Sequence, residues 1–296
     1  MSIEWYPGHM NTARRAIADA LPSKDVLLEV LDARLPASSA NPVVADLRHA
    51  HNDKPCIKIL NKSDLADPQI TKAWIRAFDT QDSGGKVIAI AVTRDRPADL
   101  RSRIADLCKR LAPHRVGANK TVRAIVVGIP NVGKSTLINT LMERKVTRVA
   151  DEPAVTKRQQ LVTLKNGMTL SDNPGILWPR MDHAATLRLA LSGSIPDTAM
   201  DYQSVGLFGA ELFMQRYPRL LCARFKFDEV PPTAAAILDA IGRRHGCLRS
   251  GGVVDLYKAA DILVHEFRAG SLGRISLEAP GDLSAAEPPA SPPSKA

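Results

Sequence analysis

A glycine-rich stretch near the middle of the chain has the residue types and spacing of a phosphate-binding loop. Residues 128–136 read GIPNVGKST and match the pattern G-x-x-x-x-G-K-[ST]. Glycines at both ends let the backbone turn tightly and direct its N–H groups at phosphate oxygens. We expect Lys134 to reach the β- and γ-phosphates and to act in catalysis, and the Ser135 hydroxyl to bind Mg²⁺. The residues predicted to contact the nucleotide are Asn131, Val132, Gly133, Lys134, Ser135 and Thr136.

A second motif, Asn61-Lys62-Ser63-Asp64, follows an apolar run and matches N-K-x-D. A carboxylate accepts two hydrogen bonds, so Asp64 can accept them from the N1–H and the 2-amino group of guanine. Adenine offers no such donor pair, and a site built for these donors discriminates strongly against it. We expect Asn61 to hold the loop and the purine, and the aliphatic stem of Lys62 to cover the ring. The motif therefore favours GTP and argues against an ATP-dependent kinase.

A third motif, Asp-Asn-Pro-Gly at residues 172–175, matches D-x-x-G. Asp172 is predicted to hold Mg²⁺ through water, and the Gly175 N–H is predicted to face the γ-phosphate. A mobile threonine between this motif and the phosphate loop usually contacts both Mg²⁺ and the γ-phosphate. Thr156 is the candidate, with Thr147 and Thr163 as rivals.

The motifs lie in a half of the chain where apolar, strand-like runs alternate with helical periodicity. The predicted strands are 24–31, 55–60, 86–92, 122–127, 161–164 and 168–170, and the predicted helices are 11–21, 41–50, 68–78, 98–111 and 137–142. Such alternation predicts an α/β domain with a mostly parallel sheet and helices on both faces. Each motif would then follow the carboxyl end of a strand, where ligands bind in such sheets.

The pattern changes near residue 180, beyond which only helices are predicted. These helices are 184–191, 204–215, 233–244 and 255–267. The sequence therefore predicts a P-loop GTPase domain at 1–180 and a smaller all-α domain at 181–278. Residues 279–296 are rich in Pro, Ala and Ser, which predicts a disordered tail.

Composition restricts the class of protein and of partner. The 296 residues are 45% hydrophobic, which supports a core, and contain no apolar run of 18 residues that could span a membrane. The N-terminus lacks a signal-peptide pattern. The four cysteines (Cys56, Cys108, Cys222 and Cys247) are far apart, which argues against a zinc site or a disulfide framework and favours the cytoplasm.

The basic residues favour a polyanionic partner. The formal net charge is +9, with an isoelectric point near 9.5. Two sets of side chains are candidates for contact with rRNA phosphates. They are Arg101, Arg103, Lys109, Arg110, Arg115, Lys120 and Arg123 before the phosphate loop, and Arg216, Arg219, Arg224, Lys226, Arg243, Arg244 and Arg249 in the helical half. Ordinary solvated helix faces remain the alternative explanation.

The order of the motifs is the reverse of the usual one, because the base-reading motif precedes the phosphate loop. The same sheet can form if the chain is circularly permuted. With residues 5–10 (WYPGHM), 32–36 (DARLP) and 172–179 (DNPGILWP), this order resembles the circularly permuted GTPases, and among them bacterial ribosome biogenesis GTPase A. The resemblance covers nearly the whole chain, including Gly251-Gly252 and residues 267–278. One departure is Asn173, where the family usually has threonine.

The resemblance implies a cytoplasmic factor that binds GTP, GDP and Mg²⁺ and acts late in maturation of the large ribosomal subunit. It implies contact with the rRNA of that subunit and hydrolysis stimulated by the ribosomal particle. It also implies K⁺ as a further cofactor, held by Asn131 in place of an arginine finger. We expect no membrane association and a monomer.

The weak point of the predicted site is the water that attacks the γ-phosphate. Many GTPases orient it with a glutamine directly after D-x-x-G, but Ile176 occupies that position and cannot do so. The resemblance implies His9 as the catalytic substitute, and an imidazole can accept a proton near neutral pH. An alternative is that the N-terminal motif only docks the chain onto the sheet. A second alternative is an rRNA-binding module with GTP as a regulatory ligand and little turnover.

Overall fold

The computed structural model describes residues 8–81, 84–93, 97–117, 120–143, 160–164, 166–173, 175–177 and 181–283. Within these residues a six-stranded sheet has the order β3-β2-β1-β4-β6-β5. Neighbouring strands are parallel except for β5 and β6, which form an antiparallel hairpin. The strands are β1 (Val26–Asp32), β2 (Cys56–Asn61), β3 (Val87–Ala91), β4 (Arg123–Val127), β5 (Gln160–Thr163) and β6 (Thr169–Asp172). The predicted mostly parallel sheet is confirmed.

Helices cover both faces of this sheet. Leu60 packs with Trp74 and Phe78 on one face, whereas its neighbour Ile59 belongs to the opposite face and clusters with Ile104. All seven residues of β1 are buried, as expected for a central strand of a covered parallel sheet. The helices of this half are α1 (Gly8–Ala20), α2 (Pro36–Ser39), α3 (Pro42–Ala50), α4 (Pro68–Gln81), α5 (Pro97–Leu111) and α6 (Lys134–Met142).

Among the described residues after 181, the regular elements are helices joined by loops, with an isolated bridge between Leu248 and Val254. The longer helices pack on one another, with Phe213 and Phe267 in ring contact at 5.4 Å between centroids. The helices are α7 (His183–Ser192), α8 (Tyr202–Arg216), α9 (Pro218–Phe225), α10 (Ala234–Arg244) and α11 (Leu256–Ala269). The division at residue 180 into two domains stays a prediction.

The structure adds two short helices, α2 and α9, that the sequence did not predict. Both begin with proline, which suits the first turn of a helix but also reads as a loop. At the start of the predicted disordered tail, Pro280–Leu283 form a 3₁₀ turn in which Asp282 pairs with Arg216 at 2.7 Å, and the disordered tail stays a prediction. Residues 284–296 lie outside the described residues. No helix in the described part of the chain is long and apolar enough to cross a membrane.

Candidate functional site

The phosphate loop joins β4 to α6, and the helix begins inside the motif. Gly133 is the N-cap residue with a φ of +94°, a conformation that favours glycine. Lys134, Ser135 and Thr136 are the first three residues of α6, so the N–H groups of its first turn and the positive end of its dipole lie at the loop. This is the arrangement that binds phosphate. The predicted start of this helix at residue 137 is therefore corrected to Lys134.

The base-reading loop contacts the phosphate loop directly. Asn61 Nδ2 donates a hydrogen bond to the Val132 carbonyl at 2.7 Å, and Lys62 Nζ donates to the Asn131 carbonyl at 2.8 Å. The approach is so close that a Cβ added to Gly133 would lie 2.2 Å from Asn61 Nδ2. The structure therefore brings together the base-reading motif and the phosphate loop, which lie far apart along the chain.

The Asp64 side chain fits the predicted reading of guanine. Its Oδ1 atom is buried and has no hydrogen-bond partner among the described residues. A buried carboxylate oxygen without a donor is unfavourable, so a ligand that brings a donor would complete the site. The preceding residue holds the loop, because the Ser63 hydroxyl donates to the Val92 carbonyl at 2.9 Å. The N1–H and 2-amino group of guanine are donors of the required kind.

Asp172 fits the predicted role in binding Mg²⁺. The side chain is 0% exposed, and neither of its carboxylate oxygens has a hydrogen-bond partner among the described residues. Burial raises the pKa of Asp172 above its ordinary value, and the charge of Lys134 offsets only part of that shift. An uncompensated buried carboxylate is a suitable ligand for a hard divalent cation. Ser135, at the second position of α6, is the predicted hydroxyl ligand of the same ion.

Lys134 and Gly175 meet beside Asp172. Lys134 is only 7% exposed, and its Nζ donates to the Ile129 carbonyl at 2.7 Å. Burial lowers the pKa of Lys134, and the negative charge of Asp172 opposes that shift. A Cβ added to Gly175 would lie 2.9 Å from Lys134 Nζ and 2.7 Å from the Pro130 nitrogen, so only glycine fits here. The D-x-x-G motif therefore lies against the phosphate loop, as predicted for a γ-phosphate site.

Ile176 lies in the hydrophobic core instead of the site. It is 2% exposed, and its carbonyl accepts a hydrogen bond from Asn41 Nδ2 at 2.8 Å. Asn173 also has a structural role, because its Nδ2 donates to the Val126 carbonyl at 3.2 Å and braces β6 against β4. The residue that orients the attacking water must therefore come from elsewhere.

Three predicted residues are less completely placed by the structure. His9 is in the first turn of α1, but its side chain lies outside the described part of the chain, as do Thr156 and Thr147. Thr163 pairs with Thr169 at the opposite end of β6 from Asp172. This rival for the switch threonine is therefore excluded, whereas the roles of His9 and Thr156 stay predictions.

The sequence did not reveal the role of the D-A-R-L-P segment. Asp32 is fully buried and accepts hydrogen bonds from Arg34 Nε at 2.9 Å and from Lys62 Nζ at 3.0 Å. Burial alone raises the pKa of Asp32, but the charges of Arg34 and Lys62 hold it well below its usual range. Asp32, at the end of β1, thus holds the ammonium of Lys62, the lysine of the base-reading motif. The available signal was a charged pair, Asp32 and Arg34, at the end of a strand that is otherwise apolar except for Glu29.

The end of α7 is bonded to the nucleotide site. Asn131 Nδ2 donates to the Gly193 carbonyl at 2.8 Å, and Arg34 Nη2 donates to the Ser192 carbonyl at 3.3 Å. Arg268 of α11 donates to the Ala190 carbonyl at 2.8 Å from another side. Carbonyls at a helix end have no partners within the helix. Here the side chain of Asn131, in the phosphate loop, supplies a hydrogen-bond donor for one of these carbonyls.

Comparison with known proteins shows relatives along nearly the whole chain. Residues 123–198 match the family described as "50S ribosome-binding GTPase". The chain is 38% identical over 291 residues to ribosome biogenesis GTPase A of Bacillus cereus, covering 96% of each chain. It is 34% identical to the protein of that name from Thermotoga maritima, over 95% of this chain and 96% of that protein. The structure of YlqF from T. maritima bound to GNP superposes with a TM-score of 0.62 at 27% identity, covering 91% of this chain and 98% of that one.

Proposed function

Because the chain belongs to the ribosome biogenesis GTPase A family and is a GTPase of ribosome biogenesis, we propose that it acts in maturation of the large ribosomal subunit. It works as a monomer in the cytoplasm and binds the rRNA of that subunit. The bond from Asn61 to the Val132 carbonyl, which joins the base-reading and phosphate loops into one site, supports the nucleotide part of the proposal. The large-subunit part is carried by the match of residues 123–198 to the family described as "50S ribosome-binding GTPase". A role as an rRNA-binding module with little turnover is not favoured, since the relatives are named as GTPases.

The residues of the site divide the chemistry of hydrolysis among them. Asp64 reads the base, and the first turn of α6 binds the phosphates. Lys134 opposes the negative charge that develops on the phosphates. Ser135, Asp172 and Thr156 would hold Mg²⁺, which would neutralise negative charge on the phosphates when bound. His9 orients and deprotonates the attacking water, a task for which Ile176 is unsuited.

K⁺ is a further candidate cofactor, and Asn131 is its proposed ligand. The bond from Asn131 Nδ2 to the Gly193 carbonyl fixes the amide, and the oxygen is its cation-binding atom. We expect faster GTP hydrolysis in KCl than in NaCl at equal ionic strength, because a cation beside the phosphates replaces the charge of an arginine finger. Steady-state phosphate release measures this effect. Equal rates in the two salts would contradict it.

The same bond supports a conformational role for the nucleotide. Asn131 and Arg34 link the phosphate loop and the D-A-R-L-P segment to the end of α7. A change in the phosphate loop on hydrolysis therefore reaches α7, the first helix after the D-x-x-G motif. In this way the presence of the γ-phosphate biases the position of the helical region on the ribosomal particle.

Only part of the basic surface is available for rRNA. Seven of the fourteen candidate side chains are held by carboxylates within the chain; these are Arg101, Arg115, Arg123, Arg216, Arg224, Arg243 and Arg249. The seven others are exposed and form no ion pair among the described residues. They are Arg103, Lys109 and Arg110 on α5, Lys120 before β4, and Arg219, Lys226 and Arg244 in the helical region.

Association with purified ribosomal subunits tests the proposed partner. We expect affinity for large subunits to fall steeply between 50 and 300 mM KCl, because about three to six phosphate contacts release a similar number of counterions. Sedimentation with large or small subunits measures this affinity. The double variant Arg103→Ala/Arg110→Ala should bind more weakly and show a smaller salt slope, whereas Lys72→Ala on α4 serves as the matched surface control. Association that does not change with salt would contradict the proposal.

A further inference from the structure

A segment near the C-terminal end of the described residues lies on the base-reading loop. Residues 270–278, here called the strap, follow α11. Within the strap, Arg274 Nη2 donates to the Ser63 carbonyl at 2.9 Å, and its Nε donates to the Ala66 carbonyl at 3.1 Å. One guanidinium thus joins the backbone on the two sides of Asp64. Its rigid fork of donors suits such a double contact.

The neighbouring strap residues extend this contact along the loop. The Ile275 N–H donates to the Leu65 carbonyl at 2.9 Å, and Ser276 Oγ accepts from the Asp67 N–H at 3.1 Å. Both strap residues are almost completely buried. The loop is therefore held from the strap at four backbone positions, 63 and 65–67.

The strap itself is fixed at its far end. Glu278 is 0% exposed and accepts hydrogen bonds from the backbone N–H groups of Ala37 at 2.6 Å and Ser38 at 2.9 Å. The Glu278 carbonyl accepts from Trp74 Nε1 at 3.1 Å. These bonds fix the end of the strap that follows Arg274.

Recognition of guanine depends on the position of the Asp64 carboxylate. It must meet two donors on one edge of the base at the same time, and a hydrogen bond weakens steeply as its geometry departs from linear. Within the β2–α4 connection, the Ser63 bonds to the Val92 carbonyl hold only the side before Asp64. The side after it is held by the strap, together with one bond within the loop, from the Leu65 N–H to the Lys62 carbonyl at 3.0 Å.

We propose that Arg274 is a positioning residue for guanine recognition, which holds the backbone on both sides of Asp64 so that its carboxylate meets the N1–H and the 2-amino group together. This inference rests on the proposed base-reading role of Asp64. It assigns to the C-terminal strap a part of nucleotide specificity that no motif of the sequence predicts. Arg274 acts through the backbone of this loop, to which both of its hydrogen bonds run.

The test compares GDP with inosine diphosphate, whose hypoxanthine lacks the 2-amino group. Equilibrium titration gives Kd for each, and the ratio Kd(IDP)/Kd(GDP) reports the second hydrogen bond to Asp64. For Arg274→Ala we expect Kd(GDP) to rise on the order of 10-fold, from two lost hydrogen bonds, and the ratio to fall several-fold. For Arg274→Lys we expect an intermediate ratio, because an ammonium lacks the planar fork.

The ratio separates positioning from general destabilisation, since loss of folded protein changes both Kd values equally. Arg76→Ala, an exposed arginine on α4, is the matched control and should keep the wild-type ratio. Thermal unfolding of each variant shows that it is folded, and if Arg274→Ala is not, Arg274→Lys carries the test. A wild-type ratio in the folded Arg274 variants overturns the inference. A wild-type protein that binds GDP and IDP equally overturns the base-reading role of Asp64 instead.

Discussion

An Asp64→Asn variant is expected to lose its preference for guanosine nucleotides and to bind xanthosine nucleotides instead. Asparagine retains one acceptor but presents an NH₂ group where the carboxylate accepted the guanine 2-amino group. Two donors then face each other, and we expect GTP affinity to fall about 100-fold or more. Xanthine carries a carbonyl at that position and accepts the new hydrogen bond. Competition binding with GDP and XDP measures the exchange.

The structure supplies a control for this variant in the same loop. Asp67 accepts hydrogen bonds from the N–H groups of Gln69 at 2.8 Å and Ile70 at 3.2 Å, so it caps α4. Asp67→Asn makes the same chemical change, keeps the cap and should leave base preference unchanged. Because Asp64 Oδ1 is buried without a partner, Asp64→Asn should not lower the thermal midpoint of the free protein. An Asp64→Asn protein that still prefers GDP over XDP would show that another group reads the base.

A Lys134→Ala variant is expected to lose nearly all GTP turnover. Lys134 is the buried cation beside the buried Asp172, and the nucleotide adds further negative charge at the same place. Removal of one group that stabilises developing charge typically lowers the rate by about 100- to 1,000-fold, or about 3–4 kcal/mol. Phosphate release at saturating GTP measures the loss. Lys72→Ala, on the exposed surface of α4, should turn over GTP at the wild-type rate.

Measurement of kcat and KM distinguishes two explanations of this loss of turnover, a role of Lys134 in the transition state and a role in GTP binding. If Lys134 acts mainly in the transition state, kcat should fall by more than KM rises. If it acts mainly in binding, high GTP concentration should restore the rate. Turnover of Lys134→Ala within about threefold of wild type would contradict the charge-stabilising role assigned to this residue.

The sequence predicted those parts of the site whose residues stand close together in one short segment, because the spacing of the residues there indicates the ligand that they bind. The phosphate loop, the base-reading motif and D-x-x-G each lie at the end of a strand, and the alternation of strands and helices fixed the class of fold. The confirmed neighbours β2, β1, β4 and β6 bring these strand ends to one edge of the sheet. The reversed order of the motifs did not change this, because a parallel sheet is defined by neighbouring strands and not by where the chain starts.

The contacts that the sequence did not predict join single residues from distant segments. The bonds from Lys62 to Asp32, from Asn131 to the Gly193 carbonyl and from Arg274 to the Ser63 carbonyl have no local pattern. Two of these acceptors are backbone carbonyls, which carry no side-chain signature. Lys62 illustrates the limit. Its motif predicts that the aliphatic stem covers the base, but it gave no sign that the ammonium is bonded to a carboxylate on the neighbouring strand.

The measurement that tests the central claim most directly is GTP turnover by the wild-type protein with and without purified large ribosomal subunits. Ile176 is buried in the core, so the isolated site lacks the usual group that orients water. We therefore expect slow hydrolysis by the protein alone and stimulation on the order of 10-fold or more by large subunits, within the range that activating partners provide. Small subunits should give little effect. Equal rates with large subunits, with small subunits and without particles would contradict the proposal of a large-subunit assembly GTPase.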